Sequence, residues 1–214
     1  MIIDCNCTTT TLPATGAARC GEKFGQIQLL AFEKLSDKQA SLSTVSNIDV
    51  KANWTAAMTA AKIQLTPEVK GWEQTGGDAV NWGEDVDPDG IPMKVRDNPI
   101  QLNVTFRGAK ESVMAKIEEM RCLAQMKDLG LYLFTTDSKV LGVDNTTLDS
   151  FPVEYISVAP RVIGVRDEPD SSVVSMYIPA AYWRKMKGVA CDKVASADTP
   201  AAGAWRGIDL LAVS

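Results

Sequence analysis

The clearest periodicity in the chain lies at residues 100–107, where apolar and polar side chains alternate strictly. The apolar set comprises Ile100, Leu102, Val104 and Phe106, and the polar set comprises Gln101, Asn103, Thr105 and Arg107. Successive side chains of a strand point to opposite faces of its sheet, so this alternation predicts a strand with one buried face.

Further strands are predicted on both sides of this segment. Residues 24–35 predict a strand in which Ile27, Leu29 and Ala31 share one face and Gln26, Gln28 and Leu30 the other. Residues 63–72 predict a strand that Pro67 confines to a sheet edge or a bulge. Residues 129–136 and 139–143 predict a strand pair around Asp137 and Ser138, and residues 151–165 and 171–183 predict a long hairpin.

Two helices are predicted. In residues 109–127 one apolar stripe holds Val113, Ile117, Met120 and Ala124, joined by Met114 and Leu123, which is typical of an amphipathic helix of about five turns. Residues 49–61 place Trp54, Met58 and Ala61 at helical spacing, with Asp49 as the expected N-cap. The fold class is therefore mainly β (α+β): a β-sandwich or open β-barrel with one flanking long helix.

The domain organisation follows from changes in composition. Residues 1–22 predict a Cys-containing arm, residues 23–187 the β-rich domain, and residues 188–214 a C-terminal extension anchored by Trp205, Ile208 and Leu210. The chain has neither the basic and apolar start of a signal peptide nor an apolar run of membrane-spanning length, so we expect cytoplasmic synthesis and no membrane span.

The chain contains no histidine among its 214 residues. This absence excludes Ser-His-Asp triads, Cys-His pairs and histidine-ligated zinc, and no phosphate-binding or nucleophile motif replaces them. The formal charge is -5, with a pI near 4.9, which argues against a basic surface that grips nucleic acid. We therefore expect neither an enzyme nor a cofactor.

The glycine- and proline-rich stretch 76–98 predicts a long loop that has room for a hairpin of its own. Trp82 stands in this polar stretch, where an exposed indole favours a subunit contact. Asp85, Asp87 and Asp89 match the opening of a calcium loop, but its twelfth position falls on Arg96 instead of glutamate. A solvated acidic turn is the favoured interpretation, and weak divalent-cation binding is the alternative.

Five cysteines raise the question of a metal site. Cys5, Cys7 and Cys20 would need a fourth ligand from Cys122, Cys191 or a carboxylate. A structural role in packing the arm is favoured over metal binding. Cys122 lies beside the apolar stripe of the long predicted helix and is expected to be a small core residue.

The order of these segments resembles the tail tube proteins of tailed bacteriophages, in particular those of Bacteroidota phages. The resemblance runs over residues 5–187: the Cys-x-Cys arm, FGQIQ, EVKGWEQTGGD before the long loop, NPIQLNVTFRG, the helix and LGLYLF. It implies a virion structural protein whose β-sandwich assembles into stacked, usually hexameric, rings. DNA would pass through the acidic conduit without specific binding, and other tail or neck proteins would be partners.

The resemblance also assigns roles to segments of this chain. It makes residues 76–98 the inter-ring loop, residues 109–127 the flanking helix, and the two termini subunit-bridging extensions. The implied interface comprises Trp82, Asp85, Asp87, Asp89 and Ile91 in the loop, and Cys5, Cys7 and Cys20 in the arm. Two alternatives stay open: another virion component, such as a neck, terminator, capsid-decoration or adhesion protein, and a glycosidase that uses carboxylates alone.

Overall fold

The computed structural model of the chain describes residues 25–38, 42, 48, 50–82, 93–145, 147–164 and 170–190. Strands hold 49% of the structure and helices 23%, so the fold is mainly β and of the α+β type. The predicted fold class is therefore confirmed. Residues 1–22 lie outside the described residues, and so does the predicted C-terminal extension (188–214) from residue 191 onward, whereas its residues 188–190 belong to a paired strand.

Thirteen strands and four α-helices are present in the described part of the chain. In order they are β1 (Ile27–Lys34), a 3₁₀ turn (Leu35–Asp37), α1 (Lys51–Thr59), β2 (Ile63–Leu65), β3 (Gly71–Gly76), β4 (Ala79–Trp82), β5 (Met93–Asp97), β6 (Ile100–Arg107), α2 (Glu111–Glu119), α3 (Arg121–Gln125), β7 (Leu129–Thr135), β8 (Lys139–Asp144), β9 (Leu148–Asp149), β10 (Phe151–Val153), β11 (Tyr155–Val158), β12 (Ser171–Ile178), α4 (Ala180–Trp183) and β13 (Met186–Ala190).

The strands form two main antiparallel sheets and one separate hairpin. Sheet A has the order β13-β8-β7-β1-β2, with β10 also paired to β7 and β9 to β8. Sheet B has the order β11-β12-β6-β3, and β4 pairs only with β5 in the hairpin. The predicted pairs β7–β8 and β11–β12 are both confirmed.

The main core lies between the two sheets. Strand β6 alternates as predicted, with Leu102, Val104 and Phe106 completely buried. They pack with Leu30 and Phe32 of sheet A. Helices α2 and α3 contact β11 and add Met114, Ile117 and Ala124 to the same core. Sheets A and B therefore form a sandwich with a flanking helical segment.

A second core covers the opposite face of sheet A. Trp54 of α1 is completely buried there, and its ring meets those of Tyr132 and Phe134 edge-on at 5.4 and 4.9 Å between centroids. The Trp54 indole N–H donates to the carbonyl of Ile48 at 2.8 Å. Because α1 packs on this face, β1 is buried on both sides, and the predicted alternation of a buried and a polar face in residues 24–35 is wrong.

The helices differ from the prediction in three respects. The helix predicted over residues 109–127 is two helices, because the backbone at Met120 tightens and its N–H donates to the Ile117 carbonyl three residues back at 3.2 Å. The N-cap of α1 is Val50, without a side-chain cap, so the assignment of Asp49 is wrong. Cys122 on α3 is exposed, and Ala124 occupies the core position instead.

Three predicted strands are interrupted. Residues 63–72 divide into β2 of sheet A and β3 of sheet B, and the Pro67 segment crosses between the sheets. Both halves are edge strands, as Pro67 predicted. Residues 151–165 change sheets in the same way at Glu154. The end of residues 171–183 is the helix α4, which starts after Pro179, a residue without a backbone N–H for a ladder.

Candidate assembly surface

The β4–β5 hairpin continues the β3–β6 ribbon beyond the end of sheet B. Gly76 and Gly77 bend the ribbon with φ of 83° and 85°, a conformation that favours glycine. A Cβ at Gly76 would lie 2.2 Å from the carbonyl oxygen of Pro99. The Asn98 N–H donates to the Asp78 carbonyl at 2.9 Å and closes the base of the hairpin. The loop predicted at residues 76–98 therefore carries its own hairpin.

An ion pair ties the hairpin base to the sandwich. The guanidinium of Arg184, just after α4, lies 2.6 Å from the carboxylate of Asp97 at the end of β5. The Asp97 side chain is 17% exposed, so solvent screens this pair only in part. The hydrogen bond to Asp97 raises the pKa of Arg184 further above its ordinary value.

The predicted interface residues fall mainly outside the described residues. Trp82 is the last residue of β4 and pairs with Met93, the last pair in the described part of the hairpin. The other loop and arm residues of that prediction, Asp85, Asp87, Asp89, Ile91, Cys5, Cys7 and Cys20, lie outside the described residues. Their roles, including weak cation binding, stay predictions. The described residues contain no group of three His, Cys, Asp or Glu side chains that could hold a metal ion.

Sheet B has one open edge and one covered edge. Strand β3 is exposed from Trp72 to Gly76, and the Trp72 side chain is 40% exposed. At the other edge α2 and α3 contact β11, and the Glu118 carboxylate accepts the Val158 N–H at 3.0 Å. In the described part of the chain β3 pairs with β6 alone, so its second row of backbone groups is open.

The hydrogen-bond pattern shows which groups point to this open edge. On the β12 side the Gly108 N–H donates to Asp170, and on the β3 side the Thr105 carbonyl accepts from Lys70. Backbone groups alternate in direction along an antiparallel strand. The odd-numbered residues of β6 therefore bond to β3 and the even-numbered ones to β12. Trp72 and Gln74 of β3 lie opposite Val104 and Leu102, so their N–H and C=O groups point away from the sheet. Pro67 predicted an edge strand in residues 63–72, but which backbone groups face outward depends on the register with β6 and could not be predicted.

The outer face of sheet B is polar and largely uncharged. Two cross-strand rows dominate it: Tyr155, Tyr177, Gln101 and Thr75 form one, and Ser157, Ser175, Asn103 and Glu73 form the other. The Tyr177 hydroxyl donates to Gln101 at 3.1 Å, and the Gln101 amide and the Ser175 hydroxyl donate to Asn103 at 3.0 and 2.7 Å. These hydrogen bonds link the polar side chains of β12 and β6 on this face.

The β11–β12 connection displays two large apolar side chains. Val162 and Ile163 are 62% and 82% exposed. The Asp170 carboxylate stabilises this connection, since it accepts the Gly164 N–H at 2.8 Å and pairs with Arg161 at 2.5 Å. The Gly164 hydrogen bond and the Arg161 charge lower the pKa of Asp170. Two exposed apolar side chains side by side add to the accessible apolar surface of the subunit.

The carboxylate-only alternative would need an accessible acid. Burial raises the pKa of Glu33, the behaviour expected of a general acid, and Asp149 is the second carboxylate that influences it. The Glu33 residue is only 4% exposed, however, and no substrate could reach it in this conformation. Glu33 therefore does not supply the accessible acid that glycoside hydrolysis needs.

Comparison with known proteins adds no assignment, since no protein-family model matches the chain and no curated protein matches it significantly. None of the described helices is long and apolar enough to cross a membrane. The open β3 edge and the hairpin are the features from which a function can be argued.

Proposed function

We propose that the protein is a virion structural subunit that assembles with copies of itself into stacked rings, and that these rings form a phage tail tube. The observation that carries the proposal is the open edge of β3, which leads directly into the β4–β5 hairpin. Together they give the subunit a pairing edge and a projecting element.

An open strand edge supports association because its unpaired N–H and C=O groups accept another strand. Trp72 adds apolar area beside that edge. The opposite edge of sheet B is covered by Glu118 and the helices. In a ring, β3 would therefore contact a surface of the neighbouring subunit other than its β11 edge. Contacts between two different surfaces close into a ring when the rotation per subunit allows it.

The charge distribution supports a conduit in preference to a nucleic-acid clamp. The chain carries 27 acidic and 22 basic residues, and the outer face of sheet B bears few charges between Glu73 and Arg107. Binding to DNA depends on clustered Lys and Arg that replace counterions. A tube whose inner surface has few clustered basic side chains would let DNA pass without specific binding. The protein would then be part of the virion.

A single substitution at the open edge tests the lateral contact. Proline at Gln74 removes an outward N–H while leaving the β3–β6 bonds in place, and edge strands tolerate proline at such positions. We expect Gln74→Pro to remain monomeric by size-exclusion chromatography with light scattering. Gln74→Ala, which keeps the N–H, should assemble as the wild type does when both are compared by electron microscopy, and rings are the expected result.

The symmetry of the wild-type assembly decides between the virion components. Six-membered rings or tubes support the tail tube, whereas a trimer or a twelvefold ring favours a decoration or neck protein. A wild-type protein that stays monomeric at high concentration would contradict assembly altogether. Rings formed equally by Gln74→Pro would show that β3 is not the lateral contact.

A further inference from the structure

A second open strand edge lies in sheet A, on the strand β13. In the described part of the chain β13 pairs with β8 alone. The Lys187 side chain on this strand is 47% exposed. The subunit therefore has two strands, β3 and β13, that each present a row of backbone groups to a further strand.

The register of β13 shows which of its backbone groups point outward. The Asp144 N–H of β8 donates to the carbonyl of Lys185, just before β13, at 2.6 Å. Backbone groups alternate in direction along an antiparallel strand. Lys187 therefore also bonds to β8, whereas Met186 and Gly188 direct their N–H and C=O groups away from the sheet. Two residues of β13 thus have outward groups, as two residues of β3 do.

The two open edges lie on opposite sides of the subunit. Strand β13 ends sheet A on one side, and β2 ends it on the other. Strand β2 leads into β3 through residues 66–70, which still bond to β1 at Leu30 and Gln28. Strand β3 therefore lies on the β2 side of the sandwich. When two subunits stand side by side in the same orientation, the β3 edge of one faces the β13 edge of the next.

Strand directions determine how these two edges would pair. The four strand pairs that lead from β13 to β2 in sheet A are all antiparallel, so β13 and β2 run in the same direction. Strand β3 continues the direction of β2, because residues 66–70 bond to β1 in antiparallel order. Neighbouring subunits related by a small rotation would therefore bring β3 and β13 together as parallel strands, whose hydrogen bonds are evenly spaced.

The side chains at the two edges are complementary. In a parallel pair, the residue opposite Trp72 has its own backbone groups turned toward β8, so Trp72 shares a face with Lys187 and Val189. Val189 packs against the second core, and the ammonium of a lysine is attracted to an indole ring. Glu73 is the charged residue of β3 and Lys187 that of β13, so the two edges also carry opposite charges.

We propose that β3 of one subunit pairs in parallel with β13 of the next, so that a second copy of this chain is the partner of both edges. The inference rests on the proposed function, because it names the surface that β3 contacts in a ring. A contact between two different surfaces leaves one edge of each kind open until the ring closes.

Proline at the centre of β13 tests the new edge. Gly188→Pro removes an outward N–H, whereas Gly188→Ala adds a side chain but keeps that N–H and is the matched control. We expect Gly188→Pro to be monomeric by size-exclusion chromatography with light scattering, with the circular dichroism spectrum of the wild type. Gly188→Ala should assemble as the wild type does.

Mixing two monomeric variants tests the pairing itself. Gly188→Pro retains an intact β3 edge, and Gln74→Pro retains an intact β13 edge. An equimolar mixture at high concentration should therefore form one-to-one dimers, with twice the subunit mass by native mass spectrometry, and no rings. Dimers of Gly188→Pro by itself would indicate pairing between two β3 strands and would overturn the proposal, as would a mixture that stays monomeric.

Hydrogen exchange of the wild type gives a second measurement that needs no variant. The Trp72, Gln74 and Gly188 amides should exchange at least about tenfold more slowly in the assembly than in protein diluted until it is monomeric. Unchanged exchange at Gly188, or rings formed equally by Gly188→Pro, would overturn the β3–β13 contact while ring assembly itself stands. A wild type that is monomeric at every concentration would overturn both proposals.

Discussion

Trp54 and Trp72 lie in opposite environments, one buried and one exposed. Comparing substitutions at the two positions tests how much Trp54 contributes to the packing of α1 on sheet A. Trp54 is fully buried, contacts two aromatic rings and donates a hydrogen bond. Trp72 is 40% exposed on the open edge strand. The same residue type therefore contributes to the fold at one position and to an accessible surface at the other.

We predict that Trp54→Ala lowers the free energy of unfolding by about 3–5 kcal/mol, because it removes a large buried side chain and leaves a cavity. Trp72→Ala, the matched variant, should cost only about 1 kcal/mol. Urea denaturation followed by circular dichroism measures both. Equal losses in the two variants would mean that α1 does not depend on Trp54 for its docking.

At the level of elements, the two edge strands of sheet B differ in what covers them. Glu118 of α2 accepts a backbone N–H of β11 and also pairs with Arg121 at 2.7 Å. It thereby protects one edge. Strand β3 has no such partner in the described part of the chain, and its exposure gives the subunit a preferred side for pairing.

Removing that protection should weaken β11. Glu118→Ala leaves the Val158 N–H without its carboxylate, and we expect a loss of about 1–2 kcal/mol in the free energy of unfolding. Glu119→Ala, at the adjacent exposed position, should change it by less than about 0.5 kcal/mol. Thermal and urea denaturation of the two variants provide the comparison. A loss of the same size in both would assign the effect to helix propensity instead of edge protection.

Local patterns in the sequence predict some elements and not others. The alternation at residues 100–107 predicts β6 because its side chains face one core and one solvated surface. Strand β1 defeats the same reasoning, since α1 covers its second face from elsewhere in the chain. The crossings from sheet A to sheet B near Pro67 and at Glu154 also depend on tertiary structure. At each crossing the sequence reads as one continuous strand, but its two halves pair in different sheets.

The candidate site was predictable to a similar extent. Glycine and proline punctuation indicates the long loop, and the hairpin within it is confirmed by the pairing of Ala79–Trp82 with Met93–Asp97. Pro67 predicted an edge for residues 63–72, but the outward groups of β3 depend on its register with β6, and Ser150 meets Glu33 across 117 residues of sequence. Neither relation leaves a local pattern.

At the scale of the whole molecule, the open β3 edge and the β4–β5 hairpin belong to one continuous ribbon but extend in different directions. The β3 edge lies along sheet B, whereas the hairpin extends beyond the bend at Gly76 and Gly77. A subunit built in this way can form one contact within a ring and another between rings. The proposed tube therefore requires that the two contacts can be abolished separately.

Deleting residues 81–90 tests this separation, because it shortens the hairpin while leaving the β3 edge and both cores intact. We expect a folded subunit, with the wild-type circular dichroism spectrum, that forms single rings by electron microscopy but no stacks. Gln74→Pro should give the complementary result, monomers that retain the hairpin. Tubes formed by the deletion variant would show that the hairpin does not join rings, and monomers from both variants would place both features in the same contact.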